Sequence, residues 1–133
     1  MIVFTNGCFD LLHIGHIELL KYAKSLGDKL IVGLNSDNSI KSIKGPTRPI
    51  NNEKTRKILL ESIKYVDEVI IFEEDTPLQL IKQIQPNIIV KGGDYKKEDV
   101  VGYELQKQGL LEIKLFNYIP NNSTTSIIER IKK

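Results

Sequence analysis

The chain has 133 residues, a formal net charge of +2 and a single cysteine, Cys8. So small a charge argues against a broad nucleic-acid footprint, one cysteine builds neither a disulfide framework nor a Cys-based zinc site, and no apolar run approaches the ~20 residues of a membrane span. The expectation is one domain that buries roughly two-thirds of its unfolded surface, resident in the cytoplasm because Met1 leads straight into a strand pattern rather than a signal peptide.

The first element is a strand at Ile2–Thr5. It runs into Asn6-Gly7-Cys8-Phe9-Asp10, a turn, and then into His13-Ile14-Gly15-His16 at the opening of a helical pattern. His13 and His16, the only histidines, are spaced i and i+3 and so share one face of a helix. Backbone N–H groups, a helix N-terminus and two imidazoles aimed at one point attract phosphate. An ordinary pair of surface or core histidines is the plain alternative. Gly15 costs about 1 kcal/mol against alanine inside a helix, which makes sense if something must approach the backbone there. A metal site is not expected, because no third His or Cys exists and Asp10 is the only nearby carboxylate.

The helix is predicted over Ile17–Leu26, with Leu19, Leu20 and Ala23 on one stripe and Gly27 as its C′ residue. A second strand follows at Leu30–Asn35. Between Ile40 and Ile58 come Lys41, Lys44, Arg48, Lys54, Arg56 and Lys57 against one acid, Glu53. A solvated helix face accounts for Lys54 and Lys57, whereas Lys44 precedes Gly45-Pro46 in a predicted loop able to close over a ligand. The next helix is predicted over Glu53–Val66, with Ile58, Leu59, Ser62 and Ile63 at helical spacing. A third strand spans Glu68–Phe72, and the acidic run from Asp67 to Asp75 reads as solvated. Thr76 as N-cap and Pro77 at N1 open a helix through Gln83.

The fourth strand, Asn87–Val90, is followed by Gly92-Gly93-Asp94-Tyr95. Its glycines let backbone approach a flat ligand, although Gly-Gly-Asp is also an ordinary turn. A helix at Glu98–Gln108 ends at Gly109, and a fifth strand spans Glu112–Phe116. Ser123-Thr124-Thr125 caps a last helix through Lys132, and that cap is also an anion site. Alternating β and α elements predict a Rossmann-like, doubly wound α/β domain: a mostly parallel five-stranded sheet with helices on both faces. The segments Gly7–His16, Gly92–Tyr95 and Asn117–Thr125, each after a strand, are expected to converge on one crevice.

Asn6-Gly7-Cys8-Phe9-Asp10-Leu11-Leu12-His13-Ile14-Gly15-His16 resembles the signature of the cytidylyltransferase-like nucleotidyltransferases, in which H-x-G-H binds triphosphate. Lys44-Gly45, Phe72-Glu73-Glu74-Asp75-Thr76-Pro77, Val90-Lys91-Gly92-Gly93-Asp94-Tyr95 and Ser123-Thr124-Thr125 are similar to the D-glycero-β-D-manno-heptose 1-phosphate adenylyltransferase branch. That branch often forms the C-terminal half of a bifunctional kinase/adenylyltransferase. Where many relatives carry Arg and Gly, this chain has Tyr118-Ile119-Pro120-Asn121-Asn122, a departure from the wider pattern that lacks its arginine.

The resemblance implies transfer of AMP from ATP to a sugar 1-phosphate. His13, His16 and Lys44 are the catalytic residues it implies. Thr5, Asn6, Gly7, Phe9, Gly15, Arg56, Gly92, Asp94, Tyr95, Ser123, Thr124 and Thr125 are the implied nucleotide-binding residues. His13 and His16 are expected to donate to the phosphates, and Lys44, Arg56 and the Thr124 region to hold the β and γ groups. Mg²⁺ is expected to arrive with ATP. The implied partners are a nucleoside triphosphate and a phosphorylated sugar, with no nucleic acid and no membrane. Relatives are often dimers, so a homodimer is expected, with Tyr65, Phe72 or Tyr103 as candidate interface aromatics. The alternatives at this point are a CTP-dependent cytidylyltransferase acting on glycerol 3-phosphate and a non-catalytic nucleotide-binding module.

Overall fold

The computed structural model describes residues 1–93 and 95–117. The readings of Asp94, of Ser123, Thr124 and Thr125, and of the last helix lie outside the described residues.

Five strands form one sheet: β1 (Ile2–Gly7), β2 (Lys29–Asn35), β3 (Glu68–Phe72), β4 (Ile88–Gly92) and β5 (Glu112–Phe116). All pairings are parallel, in the order β3-β2-β1-β4-β5. Alternate residues go to opposite faces, and both faces are covered. Val3, Leu30, Val32, Leu34 and Val90 join one core with Leu19, Leu20 and Ala23 of the helix α1 (Ile14–Ser25). Phe4, Ile31, Ile89 and Ile113 join a second core with Leu80 and Ile81 of a later helix. This double burial is why the strand sequences read as continuous apolar runs rather than as alternation.

The remaining helices are α2 (Asp37–Lys44), α3 (Glu53–Glu61), α4 (Leu78–Ile84) and α5 (Tyr103–Lys107). None among the described residues is long and apolar enough to cross a membrane. Helix α2 has no counterpart among the elements predicted from sequence; Ser36 caps it by accepting from the Ser39 N–H at 3.1 Å. Lys44 therefore ends a helix instead of lying in a loop, and Gly45 follows as C-cap at φ +104°.

Other boundaries also move. Helix α1 begins three residues early, because a histidine caps it. Helix α3 stops at Glu61, where Ser62 Oγ donates to the Ile58 carbonyl at 2.9 Å. Its inward residues are Arg56 and Leu60, while Ile58 and Leu59 are exposed. Pro77 is the N-cap of α4, without a side-chain cap from Thr76. The predicted 98–108 helix is divided into a 3₁₀ turn, Lys97–Asp99, and α5, with Gly102 at φ +104° between them. A Cβ at Gly102 would lie 2.8 Å from Ile89 Cδ1.

Two residues of the exposed acidic run also accept hydrogen bonds that tie segments together. Asp67 accepts from the Leu30 N–H at 2.7 Å and from Lys24 Nζ at 2.6 Å, and Glu73 accepts from Ser36 Oγ at 3.0 Å. Phe72 is buried in the core, which removes it from the candidate interface aromatics.

Candidate active site

The chain runs outward from β1 through β2 to β3, then returns to the other side of β1 to make β4 and β5. The crevice between β1 and β4, at the carboxyl ends, is thus the switch point of the sheet, where parallel α/β sheets hold ligands. A cleft of about 480 Å³ opens there, lined by Asn6, Gly7, Cys8, Phe9, His16, Lys44, Lys91, Gly92 and Tyr95 among others.

Between β1 and α1 the backbone is sharply bent. Phe9 adopts a left-handed conformation, φ 47°, which a bulky residue occupies only when its surroundings hold it there. The bend buries the Phe9 ring against Gly7 and leaves it 5.2 Å from the His16 ring. A Cβ at Gly7 would come within 3.1 Å of that ring, so the glycine makes room for it.

His13 is not on the helix face but is its N-cap, in extended conformation. Its Nδ1 accepts from the Gly15 N–H at 3.1 Å, and His16 Nδ1 accepts from the His13 N–H at 3.3 Å. This is a capping box with imidazoles in the places usually held by Ser or Thr and by Glu. A ring nitrogen that accepts carries no proton, so each neutral ring has its proton on Nε2. The rings stack with centroids 3.8 Å apart. Burial, then His13, then Lys44 push the His16 pKa down to about 3, and burial lowers that of His13. Both imidazoles are therefore uncharged donors at neutral pH.

Arg56 corrects the sequence reading. Its guanidinium is wholly buried away from the cleft and already engaged. Nε donates to the Asn51 carbonyl at 2.9 Å, Nη1 to the carbonyls of Cys8 (2.9 Å) and Asn35 (2.7 Å), and Nη2 to Asp37 Oδ1 at 2.8 Å. It ties the turns after β1 and β2 to the start of α3, a structural task, so it is not placed to hold β and γ phosphates. Asp10 does similar work. Its two carboxylate oxygens accept from the Ile50 and Asn51 N–H groups, each at 2.7 Å.

The structure brings Asn6, Gly7, Phe9, His16, Lys44, Gly92 and Tyr95 to one cleft, with His13 stacked behind His16. Thr5 and Gly15 are buried beneath it and do not line it. Asp94, Ser123, Thr124 and Thr125 lie outside the described residues. Among the described residues no group of three or more His, Cys, Asp or Glu side chains is arranged to hold a metal ion. Sequence reasoning misses Lys91 as a site residue, although a lone lysine directly after the apolar run Ile88-Ile89-Val90 is the available signal.

Residues 4–130 match the family described as cytidylyltransferase-like. The chain is 55% identical to "Bifunctional protein HldE" of a Nitratiruptor species over 98% of its own length and 28% of that protein's. It is also 55% identical to the protein of the same name from Helicobacter pylori (strain P12), over 99% of this chain and 28% of that one. The chain thus spans little more than a quarter of these curated relatives. Among solved structures, the lipopolysaccharide core biosynthesis protein from Thermoplasma volcanium GSS1 is 30% identical with a TM-score of 0.72, covering 90% of this chain and 96% of that one. Pantothenate synthetase from Thermus thermophilus, 16% identical with a TM-score of 0.63 over 89% of this chain and 56% of that one, shares the fold.

Proposed function

Because this chain belongs to the cytidylyltransferase-like family, we propose that it is a nucleotidyltransferase that moves AMP from ATP to D-glycero-D-manno-heptose 1-phosphate. The products are ADP-heptose and pyrophosphate. The observation that carries this reading is the capped histidine pair, with both proton-bearing Nε2 atoms fixed by the helix start at the switch point.

The chemistry follows from charge. A sugar phosphate is largely dianionic at neutral pH, given a second pKa near ~6, so its oxygen attacks without a general base. That oxygen bonds to the α-phosphorus as the bond to the β-phosphate oxygen breaks, and pyrophosphate leaves with the electron pair. The protein's task is to align the groups and to stabilise charge on the transferring phosphoryl group. His16 Nε2–H donates to the α-phosphate oxygens, His13 supports it, and Lys44 follows the departing pyrophosphate. Gly92 and Tyr95 receive the nucleoside. Mg²⁺ is part of the nucleotide substrate in this scheme. A cytoplasmic homodimer belongs to the same reading.

The test is pyrophosphate release with ATP or CTP against a panel of sugar and polyol phosphates. Turnover with ATP and the heptose 1-phosphate is expected. Turnover with CTP and glycerol 3-phosphate in its place, or with no acceptor at all, overturns the proposal.

A further inference from the structure

Lys91 stands one residue before the carboxyl end of β4 and lines the cleft. It is half-buried. Its Nζ lies 3.5 Å from the Asn6 carbonyl oxygen and 5.3 Å from the centre of the Tyr95 ring. Both contacts favour a cation, yet neither supplies a counter-charge. Among the described residues no carboxylate pairs with it. Burial holds its pKa below the ordinary lysine value; Cys8 opposes that, and Lys44 adds to it. An ammonium withdrawn from water and facing a second lysine is costly until an anion joins it.

The sheet order says which anion. Lys44 ends the helix after β2, on one side of β1, and Lys91 is the penultimate residue of β4, on the other. The histidine pair follows β1 and therefore stands between them. In a displacement at the α-phosphorus, the entering and leaving oxygens lie on opposite sides of the phosphorus. With the leaving pyrophosphate on the Lys44 flank, the entering group arrives on the Lys91 flank. We infer that Lys91 is the binding residue for the phosphate monoester of the acceptor, across the histidine pair from Lys44. This rests on the nucleotidyl-transfer reading of the cleft, and it makes a phosphate monoester dianion the acceptor class, whatever sugar or polyol carries it.

The experiment separates this inference from the identity of the sugar. Inorganic phosphate and simple phosphate monoesters are titrated into the protein saturated with a non-hydrolysable ATP analogue, and ATP-analogue affinity is measured separately. Lys91→Gln is expected to weaken phosphate binding about tenfold or more, as loss of a charge-assisted hydrogen bond does. Affinity for the ATP analogue should change less than about threefold, and Lys91→Arg should recover most of the phosphate affinity. In the unaltered protein carrying ¹³C-methylated lysines, the Lys91 resonance should shift when phosphate is added. Phosphate binding unchanged in Lys91→Gln, a matching loss of nucleotide affinity, or an unmoved Lys91 resonance overturns the inference. Failure of heptose 1-phosphate turnover alone would count against the proposed acceptor sugar and leave these binding results standing.

Discussion

Two imidazoles with centroids 3.8 Å apart repel strongly if both are charged, and the capping hydrogen bonds require each Nδ1 to be free of a proton. His16 is thus built to donate while neutral. Replacing it with Ala should lower kcat by about 10²–10³, the usual loss for one donor aimed at developing charge, with a smaller change in KM for ATP. Steady-state kinetics with varied ATP checks this. The pH dependence has a definite sign. His16 has a folded pKa of about 3 against an ordinary value of 6.5, so the unfolded chain binds more protons between those limits. Stability should therefore fall as pH drops below 6.5 towards 3. Thermal melts at about pH 7 and about pH 5 should show a lower Tm at the acid value, and the difference should shrink in His16→Asn. Turnover should show no limb from this residue near pH 6.5; the acid limb should track the acceptor phosphate, near ~6.

At the scale of elements, the turns around the cleft are held by side chains that never touch it. Arg56 joins three segments through four hydrogen bonds. Arg56→Leu leaves the half-buried Asp37 and buried carbonyls without their donor, and should cost about 3 kcal/mol in urea unfolding. Lys should not substitute, because it lacks the planar fork. Gly102→Ala should also destabilise, by about 1–2 kcal/mol, since it combines positive φ with a contact against Ile89. The strands and the position of α1 are legible in the sequence, because their apolar runs are long and branched. That His13 starts α1 is not, since imidazole is an uncommon cap. Nor is the role of Arg56, because a basic residue in a basic stretch reads as a phosphate ligand until tertiary contacts bury it. Lys91 is obscured for the opposite reason: the strand residues before it, Ile88, Ile89 and Val90, are all core.

For the whole molecule, the sheet order places β1 at the centre with both cores against it, and the site is set on the end of that strand. Hydrogen exchange should be slowest in β1, β2 and β4. Addition of ATP should slow it further at residues 7–16 and leave residues 104–111, which do not line the cleft, unchanged; equal protection at both places would count against this site. The imidazole-capped helix has one more consequence. The bonds that begin α1 also decide which nitrogen of each ring bears hydrogen, so folding itself sets the polarity of the catalyst. An incoming nucleotide meets the His16 N–H with its proton already placed, and no rearrangement of protons has to be repeated with every turnover.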